Sequence, residues 1–274
     1  MKKQHPLILT AAMTALLYLG GCAATEMQVG RKGPPPQLQE AQHAIQAVLD
    51  GLDADLAEAA ALISATGLDS PKTREALAAL SERHPSVVDA CTVDAAGVMV
   101  AVEPAAYRSA EGSDISAQEQ VIRLHATQQP VLSTVFTAVE GFPAVDLERP
   151  VMAADGSLAG SASMLIQHAS FLSRILLPVV SGTRWDCWVM QTDGVILYDP
   201  DPIEVGLNTF KDPLYTQFPE FVAMARRIAE APSGSGSYRF YRTGLGRRVT
   251  KDCHWQTVGL HGTEWRVCLV REQD

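Results

Sequence analysis

Val87-Val88-Asp89-Ala90-Cys91-Thr92-Val93-Asp94-Ala95-Ala96-Gly97-Val98-Met99-Val100-Ala101-Val102 is the stretch on which the fold turns. Its period of two predicts a strand over 87–93, a turn at Asp94-Ala95-Ala96-Gly97, and a strand over 97–102. Upstream the period is different. Ile45, Val48, Leu49, Leu52, Leu56, Ala59, Ala60 and Ile63 recur at spacings of three and four. That is one apolar stripe along a helix of about 30 residues, roughly 45 Å long. Gly67 ends it, and Ser70-Pro71 reads as an N-cap and first helical proline of a second helix that stops before Pro85.

Downstream, a helix is expected over 116–128, then strands over 130–139, 145–153 and 158–167, with Asp155-Gly156 turning the last pair. The order then recurs. A helix over 169–180 leads to strands over 185–190 and 195–198 around Asp193-Gly194. A helix over 214–231, a Gly/Ser stretch over 233–237 and three strands follow. Hairpin, helix and three strands thus occur twice, as a repeat of architecture and not of sequence. The fold class is α+β: a long N-terminal helix followed by two modules, each an antiparallel sheet flanked by helices.

The chain opens Met1-Lys2-Lys3, then runs apolar from Leu7 to Leu19 before Leu19-Gly20-Gly21-Cys22. Charge, an apolar run and small residues in that order predict an export signal. The run is about a dozen residues, whereas a bilayer core needs roughly 20, so cleavage is expected instead of a permanent span. Leu-Gly-Gly-Cys resembles the lipobox of bacterial lipoproteins, which implies a lipidated Cys22 at the new N-terminus and a membrane-anchored, extracytoplasmic location in the cell envelope. Residues 22–36, ending in Gly33-Pro34-Pro35-Pro36, read as a semi-stiff tether.

The chain has 22 Lys and Arg against 31 Asp and Glu. Loss of Lys2 and Lys3 takes the formal charge from −9 to −11, which disfavours nucleic acid or anionic lipid headgroups as partners. Cys91, Cys187, Cys253 and Cys268 remain beyond Cys22. Strands over 251–258 and 264–271 flank Gly259-Leu260-His261-Gly262. A turn centred between Leu260 and His261 sets Cys253 opposite Cys268, within disulfide reach. The alternative is two reduced, buried thiols.

No Cys-x-x-Cys or paired Cys/His spacing appears, so no metal site is expected. His43, His84, His125, His168, His254 and His261 are scattered, with no His-Glu-x-x-His. Gly234-Ser235-Gly236 lacks the frame of a nucleophile elbow and reads as a loop. Tyr198-Asp199-Pro200-Asp201 reads as a turn before a cation site. Trp255 and Trp265 read as core. No catalytic residues and no cofactor are expected.

The long helix, the strand-turn-strand around Val93-Asp94-Ala95-Ala96-Gly97-Val98-Met99-Val100, Arg149-Pro150-Val151 with Asp155-Gly156-Ser157-Leu158-Ala159-Gly160-Ser161, and Val189-Met190-Gln191-Thr192-Asp193-Gly194-Val195-Ile196-Leu197-Tyr198 together resemble the double Cache family. These are PAS-like extracytoplasmic sensor domains. The resemblance covers roughly residues 37–272. It implies N-terminal helices over 37–85, a membrane-distal module over 86–168 and a membrane-proximal module over 169–274, with a small metabolite bound in the distal one. Amino-acid-binding members carry Arg-x-Trp-Tyr after an Asp-containing loop, and a later Asp. Here Gly112-Ser113-Asp114 occupies the loop, Gln118, Glu119, Gln120 and Val121 stand in place of the run, and Ser163 and Met164 in place of the Asp. Amino-acid binding is therefore not carried over, and the ligand class stays open. By position, the candidate ligand-binding residues are Tyr107, Asp114, Gln118, Gln120, Arg123 and Asp146, each also readable as a surface or capping residue.

Family members usually continue into a kinase, chemoreceptor or cyclase domain, whereas this chain ends at Asp274. A sensor or co-receptor acting through a membrane signalling partner is the expected role. An interaction module with a filled pocket and an envelope enzyme are the other classes.

Overall fold

The computed structural model describes residues 33–242 and 246–273; the signal run, Cys22 and most of the tether lie outside them. Helix α1 spans Pro36–Thr66, and Gly67 closes it at φ 89° with its N–H on the Ile63 carbonyl. Leu38, Ala41, Ile45, Leu49, Leu52, Leu56, Ala59, Ala60 and Ile63 are buried, so the stripe read from the sequence is the face that meets the core, except that Val48 stands at its edge, 37% exposed. Helix α2 spans Pro71–Arg83, and the Ser70 side chain accepts the Thr73 N–H as its cap.

The first sheet is formed by β1 (Val87–Asp94), β2 (Met99–Glu103), β3 (Val131–Leu132), β4 (Phe136–Thr137), β5 (Pro143–Met152) and β6 (Leu158–Ile166), in the order β2-β1-β6-β5-β3 with β4 also on β5. Helix α3 (Glu119–Thr127) and a 3-10 turn over Ala105–Ala110 lie between β2 and β3. Helix α4 (His168–Val180) leads to the second sheet. It is built from β7 (Asp186–Gln191), β8 (Ile196–Tyr198), β9 (Gly234–Tyr241), β10 (Arg248–Leu260) and β11 (Thr263–Glu272), ordered β8-β7-β11-β10-β9. In each sheet the first two strands pair, the last pairs with the first, and the third lies at the far edge, so the repeated order in the sequence is a repeated topology. The opening hairpins also match. Asp94 Oδ1 accepts the Val98 N–H and Asp193 Oδ1 the Val195 N–H. Gly97 (φ 85°) and Gly194 (φ 93°) then take backbone that a side chain would strain.

Four expectations need correction. The strand expected over 130–139 is two short ones, because the Ser133 hydroxyl enters the ladder, accepting the Asp146 N–H and donating to the Thr134 carbonyl, while the Val135 N–H turns to Gln191 Oε1. The helix expected over 214–231 is α5 (Pro213–Thr216) and α6 (Pro219–Glu230), since Pro219 cannot continue a helix. The Gly/Ser stretch, Gly234-Ser235-Gly236 included, is not a loop but the start of β9. Gly234 lies under the Trp255 ring, where a Cβ would stand 2.3 Å from the indole. The last turn is centred between His261 and Gly262, with φ 49° and 83° and Leu260 paired to Thr263. A two-residue turn of this kind needs positive φ at both positions, which His261 and Gly262 supply and a turn on Leu260-His261 would have had to force on Leu260. Trp255 therefore stands opposite Cys268, and Cys253 opposite Val270; both cysteines are free, buried thiols.

One core runs through the molecule. Helix α1 packs on the inner faces of both sheets, through Ala90, Val145, Leu147, Ala162 and Met164 in the first and Val189, Val258, Trp265 and Val267 in the second. Polar contacts pin it in register: Gln46 exchanges two hydrogen bonds with the backbone of Gly259 (3.0 and 3.1 Å). Asp53 accepts both arms of Arg149 (2.8 and 2.7 Å) and is 2.8 Å from His261 Nε2. No described helix is long and apolar enough to cross a membrane.

Candidate functional site

The first sheet's other face, turned away from α1, carries the chemistry. A bulge between Val87 and Asp89 resets the alternation, so Val87 faces the helix and Asp89 the opposite side. From there the register builds rows across three strands. Asp89, Leu165 and Asp146 form one row; Cys91, Ser163 and Glu148 form the next. Three carboxyls on one buried sheet face is the unusual feature, since such groups are almost never fully buried without a partner. Asp89 is 2% exposed, Asp146 4% and Glu148 0%.

A cavity opens over the first row, lined by Asp89, Cys91, Gln118, Glu140, Asp146 and Ser163, with Met99, Ile115, Phe136 and Leu165 as apolar wall. The loop between β4 and β5 brings Glu140 over it, and the start of α3 brings Gln118. Its free volume is about 20 Å³, room for about one water molecule.

The carboxyls share no internal cation. Ser163 donates to Asp146 Oδ1 (2.6 Å) and Ser161 to Glu148 Oε1 (2.5 Å). Asp89 Oδ2, Glu140 Oε1 and Glu148 Oε2 are buried with no hydrogen-bond partner, and among the described residues no Lys, Arg or His forms an ion pair with any of the four. Burial, with repulsion from Glu140, pushes the Asp89 carboxyl up to about 8. Burial raises Asp146 well above the usual range, and Glu148 adds to it against the Ser163 hydrogen bond. Burial pushes Glu148 up to about 7 against the bond from Ser161, and raises Glu140. At neutral pH the site therefore stores protons in place of counter-ions. Burial and the neighbouring acids also raise the Cys91 thiol, which keeps it a weak nucleophile.

Of the residues singled out by position, the cavity gathers Gln118 and Asp146. Gln120 is buried just behind, donating to Gln118 Oε1 at 2.7 Å. Asp114 is exposed and caps the Ser116 N–H at 2.9 Å. Arg123 reaches the Leu132 carbonyl and the Thr263 hydroxyl, at the junction of the two sheets. Tyr107 packs on the small cluster around Val102 and Ile115. Asp89, Glu140 and Glu148 were missed. Val87 to Val93 is apolar on both faces, which could have told that a carboxyl in that strand is buried whichever way it points.

Among the described residues no three His, Cys, Asp or Glu side chains are grouped to hold a metal ion. The register explains this for Asp89 and Asp146, whose strands are separated by β6, roughly 10 Å at ~4.8 Å per strand.

Residues 47–168 match the family model described as HK/GC/Chemotaxis protein-like, sensor domain. No curated protein matches the chain. Among solved structures, an extracellular ligand binding receptor from Desulfohalobium retbaense DSM5692 is 36% identical, with a TM-score of 0.74, over 86% of this chain. The match covers 39% of that receptor, so the chain spans about two fifths of its length. The ligand-binding domain of the Pseudomonas fluorescens chemoreceptor CtaA in complex with L-alanine is 17% identical over 86% of this chain and 94% of its own, with a TM-score of 0.62. That of the Pseudomonas aeruginosa PAO1 amino acid chemoreceptor PctB in complex with L-Arg is 18% identical over 87% and 93%, at 0.59. The likeness to the last two is one of fold.

Proposed function

With residues 47–168 belonging to the HK/GC/chemotaxis protein-like sensor-domain family, inside a double Cache fold, we propose that this chain is a ligand-binding sensor whose first module takes a small organic cation. The observation that carries the reading is the row of buried carboxyls, Asp89 and Asp146 with Glu140 above, that line one cavity and meet no cation among the described residues. A protonated amine supplies the missing charge, and its N–H groups meet oxygens that now lack donors. Spacing across three strands suits a ligand with some length, such as a diamine or a substituted ammonium, over a metal ion. A free α-amino acid is disfavoured, since no guanidinium or ammonium lines the cavity to hold its carboxylate.

The cavity at rest admits about one water, so a ligand enters by displacing the loop that carries Val139 and Glu140, of which Val139 is 46% exposed. Binding converts protonated carboxyls to ionised ones, so protons leave as the amine enters. The reading extends to the cell. The Leu19-Gly20-Gly21-Cys22 run supports a lipid anchor at Cys22, modules over 86–168 and 169–274 outside the cytoplasmic membrane, and a membrane partner that receives the ligand state. No catalytic role is assigned.

The test is a thermal-shift and calorimetric panel of alkylamines, diamines, choline, amino acids and carboxylates. An amine at 100 times its dissociation constant stabilises the chain by about 2.7 kcal/mol, an effect absent in Asp146→Asn. Its binding heat depends on the ionisation enthalpy of the buffer. Stabilisation by carboxylates and not by amines overturns the reading. Silence across the panel favours the second reading, an interaction module with a filled pocket, which the small free volume supports.

A further inference from the structure

The second module has its own cavity, on the face of its sheet turned away from α1. Aromatic rings dominate there: Tyr215 stacks on Phe221 at 5.0 Å, and Phe221 on Phe240 at 4.8 Å. Two carboxyls are sunk among them. Glu204, 7% exposed, accepts the Tyr215 hydroxyl at 2.9 Å. Asp199, just past β8, accepts the Asp201 N–H at 2.8 Å. Lys251, on β10, lines the same cavity with its Nζ 5.8 Å from the centre of the Phe240 ring. The wall is completed by Trp188, which is 3% exposed and whose indole N–H is buried without an acceptor. Free space is about 20 Å³, again about one water.

Rings and buried carboxyls together suit a cation, because ring faces attract positive charge where water is scarce and a cation favours the ionised form of carboxyls that burial otherwise keeps protonated. Here a cation of the chain already stands beside them. We propose that this cavity is a second ligand site, for a small ammonium compound that also carries a hydrogen-bond acceptor, and that the Lys251 ammonium is a tethered occupant which the ligand displaces. The acceptor is required by Trp188, whose N–H is left unmet while Lys251, which has donors only, lines the cavity. Withdrawal of the Lys251 stem toward solvent is open to it, since the residue is only partly buried, and its departure makes the room that the closed cavity lacks. The two modules would then differ in that the second adds a lysine to the protons, since burial, with Glu204 beside it, also pushes Asp199 up to about 8 and burial raises Glu204. This site does not rest on the reading of the first module.

Ethanolamine serves as the probe, in an Asp146→Asn background so that binding at the first module does not contribute. The Trp188 indole N–H resonance, followed by 15N–1H correlation spectra, is expected to shift and saturate on titration. Lys251→Ala is expected to tighten binding at least tenfold by removing the competitor, and Glu204→Gln to abolish it. Independently of any variant of Lys251, reductive 13C-methylation reports that residue directly: its methyl signal, shifted by the Phe240 ring, moves toward the position of a solvated lysine as ethanolamine is added. Unchanged or weaker binding in Lys251→Ala overturns the tethered-occupant role. A Trp188 resonance that ignores ethanolamine in both proteins overturns the site, leaving a cavity that holds one water.

Discussion

Replacement of Asp89 by Asn should remove a defined share of the pH dependence of stability. In the native chain, burial and Glu140 hold the Asp89 carboxyl near 8, against 3.8 in the ordinary range. The unfolded chain ionises this group above about pH 4, while the folded chain keeps its proton up to about pH 8. Between those limits the native state binds the extra proton, so stability is fullest below about pH 4 and is lost as pH rises toward 8. The slope is ~1.4 kcal/mol per pH unit, so from pH 5 to pH 7 the loss is about 2.7 kcal/mol. For a chain of this size that is roughly 5–10 °C in Tm. Asparagine cannot ionise, so it carries no such slope. Glu148 contributes its own slope in both proteins, and Asp146, which Asp89 raises only after burial, Glu148 and the Ser163 bond have acted, keeps most of its own, so the difference between native and Asp89→Asn is chiefly that of Asp89. Urea unfolding of the ligand-free chain at pH 5, 6 and 7, followed by circular dichroism, measures it. Equal slopes for the two proteins would mean that Asp89 is already ionised with a partner or water beside it, and the argument for an organic cation would lose its basis.

Leu49 is fully buried on α1 among residues of the shared core, so Leu49→Ala should cost about 2–5 kcal/mol, read as a lower urea midpoint at unchanged slope. His168 opens α4 and is 2% exposed, with Nδ1 2.7 Å from the Leu197 carbonyl and Nε2 unpartnered. Burial lowers it below 6.5 against that bond, so its stabilisation is complete above pH 6.5 and is lost as pH falls; His168→Gln should flatten the acid limb of a Tm-against-pH curve. Burial raises Asp53, but hydrogen bonds from Arg149 and His261 prevail and hold it below 3.8. Asp53→Ala should therefore cost about 1–3 kcal/mol at pH 7, and faster amide exchange at the His261-Gly262 turn should accompany the loss.

The architecture was legible because its signals are long and periodic. The stripe from Ile45 to Ile63 and the Asp-Gly hairpins state their structure in residue spacing, and tertiary contacts only agree with them. The misread places are those where one side chain or one backbone angle decides. Ser133 interrupts a strand by offering its hydroxyl to Asp146, Pro219 divides a helix, and the positive φ at His261 and Gly262 moves the last turn by one residue. That single step took Cys253 from a position opposite Cys268 to one on its diagonal. Of the site, Asp146 and Gln118 were found by position, whereas Asp89 and Glu148 were not. Apolar residues on both faces of 87–93 mark Asp89 as buried, but that α3 and the β4–β5 loop are what cover it, and with which polar groups, is not visible in the strand's own sequence.

The connection between cavity and second module is built into the segment that the sequence misread. Phe136 and Ala138 line the first cavity, and the chain just before them is tied across: Val135 N–H to Gln191 Oε1 at 2.7 Å, and the Thr263 hydroxyl to the Leu132 carbonyl at 2.5 Å. Gln191 ends β7 and Thr263 begins β11, so both ties end on the second sheet. A cation that draws Asp146 and Glu140 together pulls on β5 and on the loop leading from β4, which flank this segment. The second sheet is then biased only as far as the ligand binds one arrangement of the segment better than the other. In a Glu204→Gln background, where no amine binds at the second cavity, Gln191→Ala and Thr263→Val test that coupling together: they should leave amine affinity in the first module within a few fold while abolishing any ligand-induced shift of tryptophan resonances, since Trp185, Trp188, Trp255 and Trp265 all lie in the second module. Retention of those shifts in the double variant would place the coupling in α1 instead, through Asp53 and its hold on Arg149 and His261.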